Sequence, residues 1–419
     1  MPAPLDRWWL RAPVADAVTG HPYDGAVDDA DTRNAPATRL GDRAVEWAAT
    51  MSGHVEQQGG LVVSTAHADS SATLGGAPLG PDTPLERRAR EEHEERVLAP
   101  GATRARGAGD RQVEEAPDTH RTCFERDRDR ILHSTAFRRL AGKTQVFVMP
   151  EDHQRTRLTH ALEVAQVAVA IARAVGANVA LTEAIALGHD CGHGPGGHAS
   201  EDAFSPYVEG GYDHATWGAD VVLAGLNLCR ETLDGIRNHS WSRPAPATPE
   251  GEIVSWADRI AYVCHDFEDA VHVGITDPDH LPELVRDHCG DRRSRQLHTF
   301  IDSVVATAAV TGRVGMDPLT ARALAEFRRF NYDHIYMRPA SLEQSATVIA
   351  VLRALVEHLA ERPDLLPRRA AGAADLGAGS REALAAAVTH VGGMTDRYAF
   401  DTAVTLLGWD PAALPPGIG

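Results

Sequence analysis

The sequence predicts an all-α, or mainly α, protein, and three observations carry that expectation. Leu158, Ala161, Leu162, Ala165, Ala168 and Ala172 recur at helical spacing between residues 156 and 175. A second stretch, EIVSWADRIAYVCHDFEDAV from Glu252 onward, divides its apolar and polar side chains between helix faces. Strand signals are few, and the chain has no internal repeat, no Gly-rich phosphate loop of the GxxxxGK type and no dinucleotide fingerprint.

Taken in order, residues 1 to 85 are rich in Ala, Gly, Asp, Thr and Pro. Their two apolar islands, Trp8-Trp9 and Leu61-Val62-Val63, are too small for a core, so a flexible N-terminal extension is expected. PLERRAREEHEE, with alternating charge, reads as a solvated helix, and residues 99 to 119 read as a mobile loop. Ile131, Leu132, Ala136, Phe137 and Leu140 form an apolar stripe that predicts one helix running to about Leu140. Gly176 is placed to end the helix over 156–175, and Asn178 to cap the next one, Val179 to His189. Two antiparallel helices joined by so short a turn bring His160 and the pair His189-Asp190 to the same end, although they lie 29 residues apart. A Gly-rich turn with His193, His198 and Glu201 follows, then a Pro-rich loop over 242–251, with Glu252 opening the helix of Asp258. On that helix Asp258, Tyr262, His265 and Asp269 share one face, and Asp266 points the same way. Beyond 281 further helices are expected: ARALAEFRRFNYDHIYMRP could line a pocket or an oligomer contact, and PDLLPRRAAGAADLGAGS reads as a linker.

A chain of 419 residues can bury a large core, and with aromatics at 5% small aliphatic side chains must do most of the packing. A net charge of −18 argues against non-specific nucleic-acid binding, so no nucleic-acid partner is expected. Five cysteines without CxxC spacing suit reduced thiols, hence a cytoplasmic protein. The N-terminal residues lack the apolar core of a signal peptide, and no apolar run reaches the ~18 residues of a membrane span, so no membrane partner is expected.

His160, His189, Asp190 and Asp258 form a plausible mixed nitrogen and oxygen metal set. With 21 histidines in the chain, and His265-Asp266 as a second such pair, the dipeptide alone means little. Its context distinguishes the first pair: it ends an apolar helix, precedes a turn with two more histidines, and follows a helix bearing His160. His198 and Glu201, at i and i+3, suit an imidazolium held by a carboxylate, and Arg157, three before His160, shares its face. Capping or turn hydrogen bonds are the plainer alternative for His193 and His198.

The ordered blocks RDRDRILHSTAFRRLAGKTQVF (126–147), RTRLTHALEVAQ (155–166), HDCGHGPGGHASE (189–201), ADRIAYVCHDFEDA (257–270) and GGMTDRYA (392–399) resemble the deoxyguanosinetriphosphate triphosphohydrolase (dNTP triphosphohydrolase) family of HD-domain metal phosphohydrolases. The resemblance spans about residues 86 to 410 and implies an HD-domain helical architecture over 86–419. It implies one divalent ion (Mg, Mn, Fe, Co, Ni or Zn) on His160, His189, Asp190 and Asp258, and attack of metal-bound water on the α-phosphorus of a deoxynucleoside triphosphate. Deoxynucleoside and intact triphosphate would leave. It further implies that His198 with Glu201 protonates the departing 5′ oxygen, with His193 and His214 close by. Arg157 would meet phosphate, Gln145 the deoxyribose 3′-hydroxyl, and Tyr262 and Asp266 the sugar and phosphates. A homo-oligomer is expected, and a second nucleotide as activator is left open. The chain departs from the family at Gly196, where an aromatic is usual, and at Asp213, Ala215 and Cys191, which bears on the shape of the pocket and the preferred base.

Overall fold

The computed structural model describes residues 44–45, 53–58, 61–67, 85–150, 154–367 and 376–415; Trp8-Trp9 and part of the linker-like stretch lie outside the described residues. The chain divides into two compact units, Met1–Thr83 and Pro84–Gly419. In the first unit, β1 (His54–Gln58) pairs antiparallel with β2 (Leu61–Thr65), Gln58 opposite Leu61. The sequence places Gly59-Gly60 between them, the length of a tight hairpin connection. The apolar island at 61–63 therefore belongs to a strand, which its reading as part of a flexible extension did not anticipate. This hairpin is the one sheet among the described residues.

The second unit is helical. It opens with α1 (Arg87–Val97), and the following Gly-rich loop is irregular but pinned rather than mobile. Thr103 donates through its amide and hydroxyl to Glu250, Ala105 N donates to Glu94, and Arg111 pairs with buried Asp127. The single helix expected to about Leu140 is two, α2 (Cys123–Leu132) and α3 (Thr135–Arg139), because the Ser134 hydroxyl accepts from Phe137 N at 3.1 Å and starts a new helix. α4 (Arg157–Val175) ends at Gly176, whose φ of 74° an L side chain would resist. Asn178 accepts from Leu181 N at 3.2 Å to cap α5 (Val179–Gly188). Short helices α6 (Ala199–Phe204), α7 (His214–Trp217) and α8 (Arg230–Asn238) follow. α9 (Pro249–His272) starts three residues before the expected Glu252, because Thr248 caps it and Pro249 suits the first helical position. The rest comprises α10 (Glu283–Cys289), α11 (Arg293–Thr311), α12 (Pro318–Asn331), a π-turn at Tyr332–Tyr336, α13 (Pro339–Glu361), α14 (Arg381–Gly392) and α15 (Asp396–Leu407).

Two apolar cores position the site. In the first, α4 packs against α5 and α9, with Val164, Ile171, Leu181, Ile185 and Ile260 fully buried. Each large aliphatic there contributes roughly 1.5–3 kcal/mol by leaving water, which anchors helices that also bury polar groups. α4 is the one described helix long and apolar enough to cross a membrane, but here it is a core helix, and Arg157 and His160 near its start are buried. In the second core, Phe204 of α6 meets Val351, Leu352 and Leu355 of α13 and Val388 of α14. Val148 and Ala199 of the second core, and Tyr262, which packs against the first, line one cavity.

Candidate active site

The antiparallel pair α4 and α5, crossed by α9, brings the four residues of the expected metal set together. His160 Nε2 lies 3.1 Å from Asp258 Oδ1 and 3.8 Å from Asp190 Oδ2. His189 Nε2 lies 3.5 Å from Asp190 Oδ1 and 3.7 Å from Asp258 Oδ1. His189 sits at the end of α5, where its Nδ1 donates to the Ala186 carbonyl at 2.6 Å. That bond fixes the tautomer and leaves Nε2 as a fully buried lone pair with no hydrogen-bond partner. A lone pair held against two carboxylate oxygens away from water is costly, and a cation between them relieves the cost. Two imidazoles and two carboxylates fit a divalent first-row ion, and His160, His189 and Asp258 offer ligand atoms within 4.8 Å of one another. Burial raises the Asp258 carboxyl, yet the His160 hydrogen bond and the nearby imidazoles hold it at about 2. Burial opposes ionisation of Asp190, yet the Arg157 guanidinium at 2.7 Å holds its carboxyl well below the usual range.

The Gly-rich turn after α5 folds back toward α7. A Cβ at Gly192 would lie 1.9 Å from the His214 carbonyl, so only glycine permits this approach. His193 is buried, with Nε2 3.2 Å from Asp190 Oδ1 and its ring stacked on His214 at 3.7 Å between centroids. Burial, Arg157 and His214 push His193 well below its ordinary pKa, so it is neutral. His198 is different: its side chain is 74% exposed, and Nδ1 is 3.4 Å from Glu201 Oε2. The other Glu201 oxygen accepts from His214 N at 3.0 Å and from His214 Nδ1 at 2.5 Å. Glu201 thus serves two imidazoles, and the closer one is not the one expected from sequence. Burial opposes its ionisation, but His198 and His214 hold it far below the usual carboxylate range.

A cavity of about 560 Å³ joins these groups to the substrate residues expected from sequence. Arg157 is buried and spends Nη1 on Asp190 Oδ2 at 2.7 Å, leaving Nε and Nη2 without partners. Gln145 lines the same cavity, and its Oε1 is buried without a partner. Tyr262 Oη accepts from Arg328 Nε at 2.8 Å, and Tyr336 Oη donates to Asp266 Oδ2 at 2.5 Å. Burial pushes the Asp266 carboxyl up to about 7. The second His-Asp pair is divided in role: Asp266 faces the cavity, whereas His265 turns to Glu163 at 3.1 Å. Asp269, on the same stripe, is taken by Arg155.

Four residues of the site escaped the sequence reading. His239 ends α8 as His189 ends α5, its Nδ1 on the Ile236 carbonyl at 2.8 Å; an imidazole closing an amphipathic helix was the available signal. Arg259 stacks over Trp241 at 3.5 Å and lines the cavity. Lys143 is buried, donates to the His193 and Gly392 carbonyls, and is lowered by burial to about 8. Asp396 supplies the role of the GGMTD loop: it accepts from Thr144 N at 2.9 Å, Thr144 Oγ1 at 2.5 Å and Gly196 N at 2.8 Å. It thereby fastens the turn leading to His198 and the segment of Gln145 to one buried carboxyl. The missing aromatic at Gly196 also has a structural counterpart, since a Cβ there would lie 2.4 Å from Val348 Cγ1 of α13. Asp213 caps α7 by accepting from Ala215 N at 2.9 Å, and Cys191 is a buried thiol raised by burial to about 12.

Helical fold and His/Asp cluster define the class, an HD-domain phosphohydrolase. The HD domain matches residues 157–263, and the phosphohydrolase-associated domain matches residues 314–404. A deoxyguanosinetriphosphate triphosphohydrolase-like protein of Caldanaerobacter subterraneus subsp. tengcongensis is 39% identical over 74% of this chain and 92% of its own. Proteins of the same description from Clostridium perfringens and Syntrophus aciditrophicus are 38% and 35% identical, over 68% and 74% of this chain and 86% and 94% of theirs. The chain belongs to this family of deoxyguanosinetriphosphate triphosphohydrolase-like proteins.

Proposed function

We propose that the chain hydrolyses deoxynucleoside triphosphates to deoxynucleoside and inorganic triphosphate. What supports this reading most directly is that Arg157 and Gln145, each with a buried polar atom lacking a partner, line one cavity with His160, Asp190 and Asp258, which adjoin buried His189. A divalent ion held by those four residues supplies Lewis acidity toward water and a phosphoryl oxygen. Arg157 turns its two unpaired nitrogens to the phosphates, with Arg259 and Arg328 as further cationic walls. The Gln145 amide reads the 3′-hydroxyl, because a buried amide left unmatched penalises a sugar that lacks the group. Tyr262 and Asp266 border the sugar and phosphates.

Water attacks the α-phosphorus and the bond from that phosphorus to the 5′ oxygen breaks. The 5′ oxygen departs as a poor alkoxide and takes a proton from His198, whose Nδ1 lies 3.4 Å from Glu201 Oε2. Buried, neutral His193 instead fixes Asp190. In the same proposal the enzyme works in the cytoplasm, in keeping with five unpaired cysteines, and as a homo-oligomer whose size sedimentation would read. Activation by a second nucleotide would appear as acceleration of one dNTP's hydrolysis by another.

The test incubates the purified protein with each dNTP and Mg²⁺, Mn²⁺ or Co²⁺, and separates the products. Deoxynucleoside with triphosphate is expected; diphosphate, monophosphate or no product would refute the reading.

A further inference from the structure

Trp241 is 48% exposed, although its ring is large and apolar. Two contacts fasten it to α9: its Nε1 donates to the Ser255 carbonyl at 3.2 Å, and its ring meets Trp256 edge-on at 4.8 Å between centroids. Trp256 in turn packs against the first core. One turn further along α9, the Arg259 guanidinium lies over the Trp241 ring, its Cζ 3.5 Å from the centroid. Burial lowers the pKa of Arg259, and Arg328 close by works in the same direction. Arg259 Nε is buried without a hydrogen-bond partner, and Arg328 spends its Nε on the Tyr262 hydroxyl rather than on a carboxylate. Both arginines and Trp241 line the cavity. Two neighbouring cations held out of water in this way are costly unless an anion enters between them.

We propose that Trp241 is a positioning residue for the outer phosphates of the substrate, acting through Arg259; this rests on the reading of the substrate as a deoxynucleoside triphosphate. A guanidinium on the face of an indole is attracted by the ring and keeps its N–H edge free. Stacking therefore fixes the arginine without using the donors that phosphate oxygens need, whereas a carboxylate partner would take them. Arg157 shows the contrast, since its Nη1 is spent on Asp190 Oδ2. Arg157 thus belongs with the metal cluster and the phosphorus under attack, while Arg259 and Arg328 together offer two charges to the departing triphosphate. The ring is anchored to Ser255 and Trp256, on the same helix as Asp258, so the guanidinium is held in register with the expected metal ligand one residue before it. A long side chain ordered before the nucleotide arrives loses less conformational freedom on binding it.

The test titrates inorganic triphosphate into the full chain by calorimetry and measures dNTP hydrolysis in the same variants. In Trp241→Leu, triphosphate binding should weaken roughly two- to thirtyfold, the range of one cation–π contact, and KM should rise with it while kcat falls by a smaller factor. Trp241→Phe keeps a ring face and should recover most of the loss. In an Arg259→Leu background, Trp241→Leu should weaken triphosphate binding no further, because the two residues act as one unit. Unchanged affinity in Trp241→Leu, a Phe variant as weak as the Leu variant, or additive losses would each overturn the role and confine Trp241 to packing on Trp256. A crystal structure with inorganic triphosphate answers the question if Trp241→Leu does not fold. Its oxygens should lie within hydrogen-bond reach of Arg259 while the guanidinium stays on Trp241; an anion bound elsewhere would refute the proposal. Weakened triphosphate binding by Trp241→Leu in a chain that hydrolyses no dNTP would remove the proposed function and leave the pairing of Trp241 with Arg259 standing.

Discussion

The two polar sides of the cavity are built in opposite ways. On one side His160, His189 and Asp190 are almost fully buried at helix ends, and His189 is oriented by a carbonyl of its own helix three residues back. On the other side His198 is largely solvent-exposed, and the turn before it is secured by Asp396, 200 residues away from Gly196 in sequence. The buried side is preorganised around unsatisfied lone pairs, which suits holding a charge that stays in place. The exposed side leaves an imidazole free to exchange protons with water, which suits a group that must be recharged each turnover.

The comparison is most severely tested at the buried side. Asp258→Ala or His189→Ala should lose the ion of the His160, His189, Asp190 and Asp258 site and turnover together, because an incomplete set leaves a buried ligand facing an unmatched partner. Metal analysis with full occupancy of that site in either variant would strike the residue from the ligand set.

At the exposed side, His198→Ala should keep metal and nucleotide binding but lose ~10²–10⁴-fold in turnover, as removal of a general acid does. A substrate analogue whose leaving group needs no proton should be cleaved by the variant nearly as well as by wild type. Equal impairment on the analogue and on a dNTP would mean that His198 does not protonate the leaving oxygen, and would move that role to His214.

The contrast also explains what could be read from sequence. α4, α5 and α9 were legible because apolar spacing and local caps, Asn178 and Gly176 among them, encode them within a few residues. The gathering of His160, His189 and Asp190 followed from one short turn between two helices. Asp396 was not legible as a support, because nothing local in GGMTD says that its carboxyl reaches Thr144 and Gly196. The sharing of Glu201 between His198 and His214 depends likewise on how α7 folds over the Gly-rich turn. The break at Ser134 was overlooked for a different reason: an apolar stripe continues through it, and only the cap hydrogen bond interrupts the helix.

That distant support predicts an intermediate effect. Asp396→Asn keeps size and one acceptor but turns an amide donor toward Thr144 or Gly196, a mismatch costing about 1–3 kcal/mol. The loss should appear as reduced stability and a roughly tenfold fall in kcat with the metal retained, since the support holds the His198 turn and not the ligands. Unchanged kcat with the same loss of stability would confine Asp396 to folding.

The smallest effect concerns Asp266, and it is a matter of stability against pH. Burial raises its carboxyl to about 7 in the folded chain, whereas an unfolded Asp titrates near ~3.9. Between those values the folded state holds a proton that the unfolded state has released. This contribution to stability is complete below ~3.9 and is lost as pH rises through ~7. In Asp266→Asn the side chain is neutral throughout and its oxygen can still accept from Tyr336 Oη. Measured with a chelator present, so that no cation biases the carboxyl, Tm between pH 5 and 8 should fall less steeply in the variant than in wild type. The variant should gain most, relative to wild type, at the alkaline end. Parallel curves would mean that Asp266 is ionised across that range in the folded chain, and that the wall of the cavity beside Tyr336 carries a fixed negative charge.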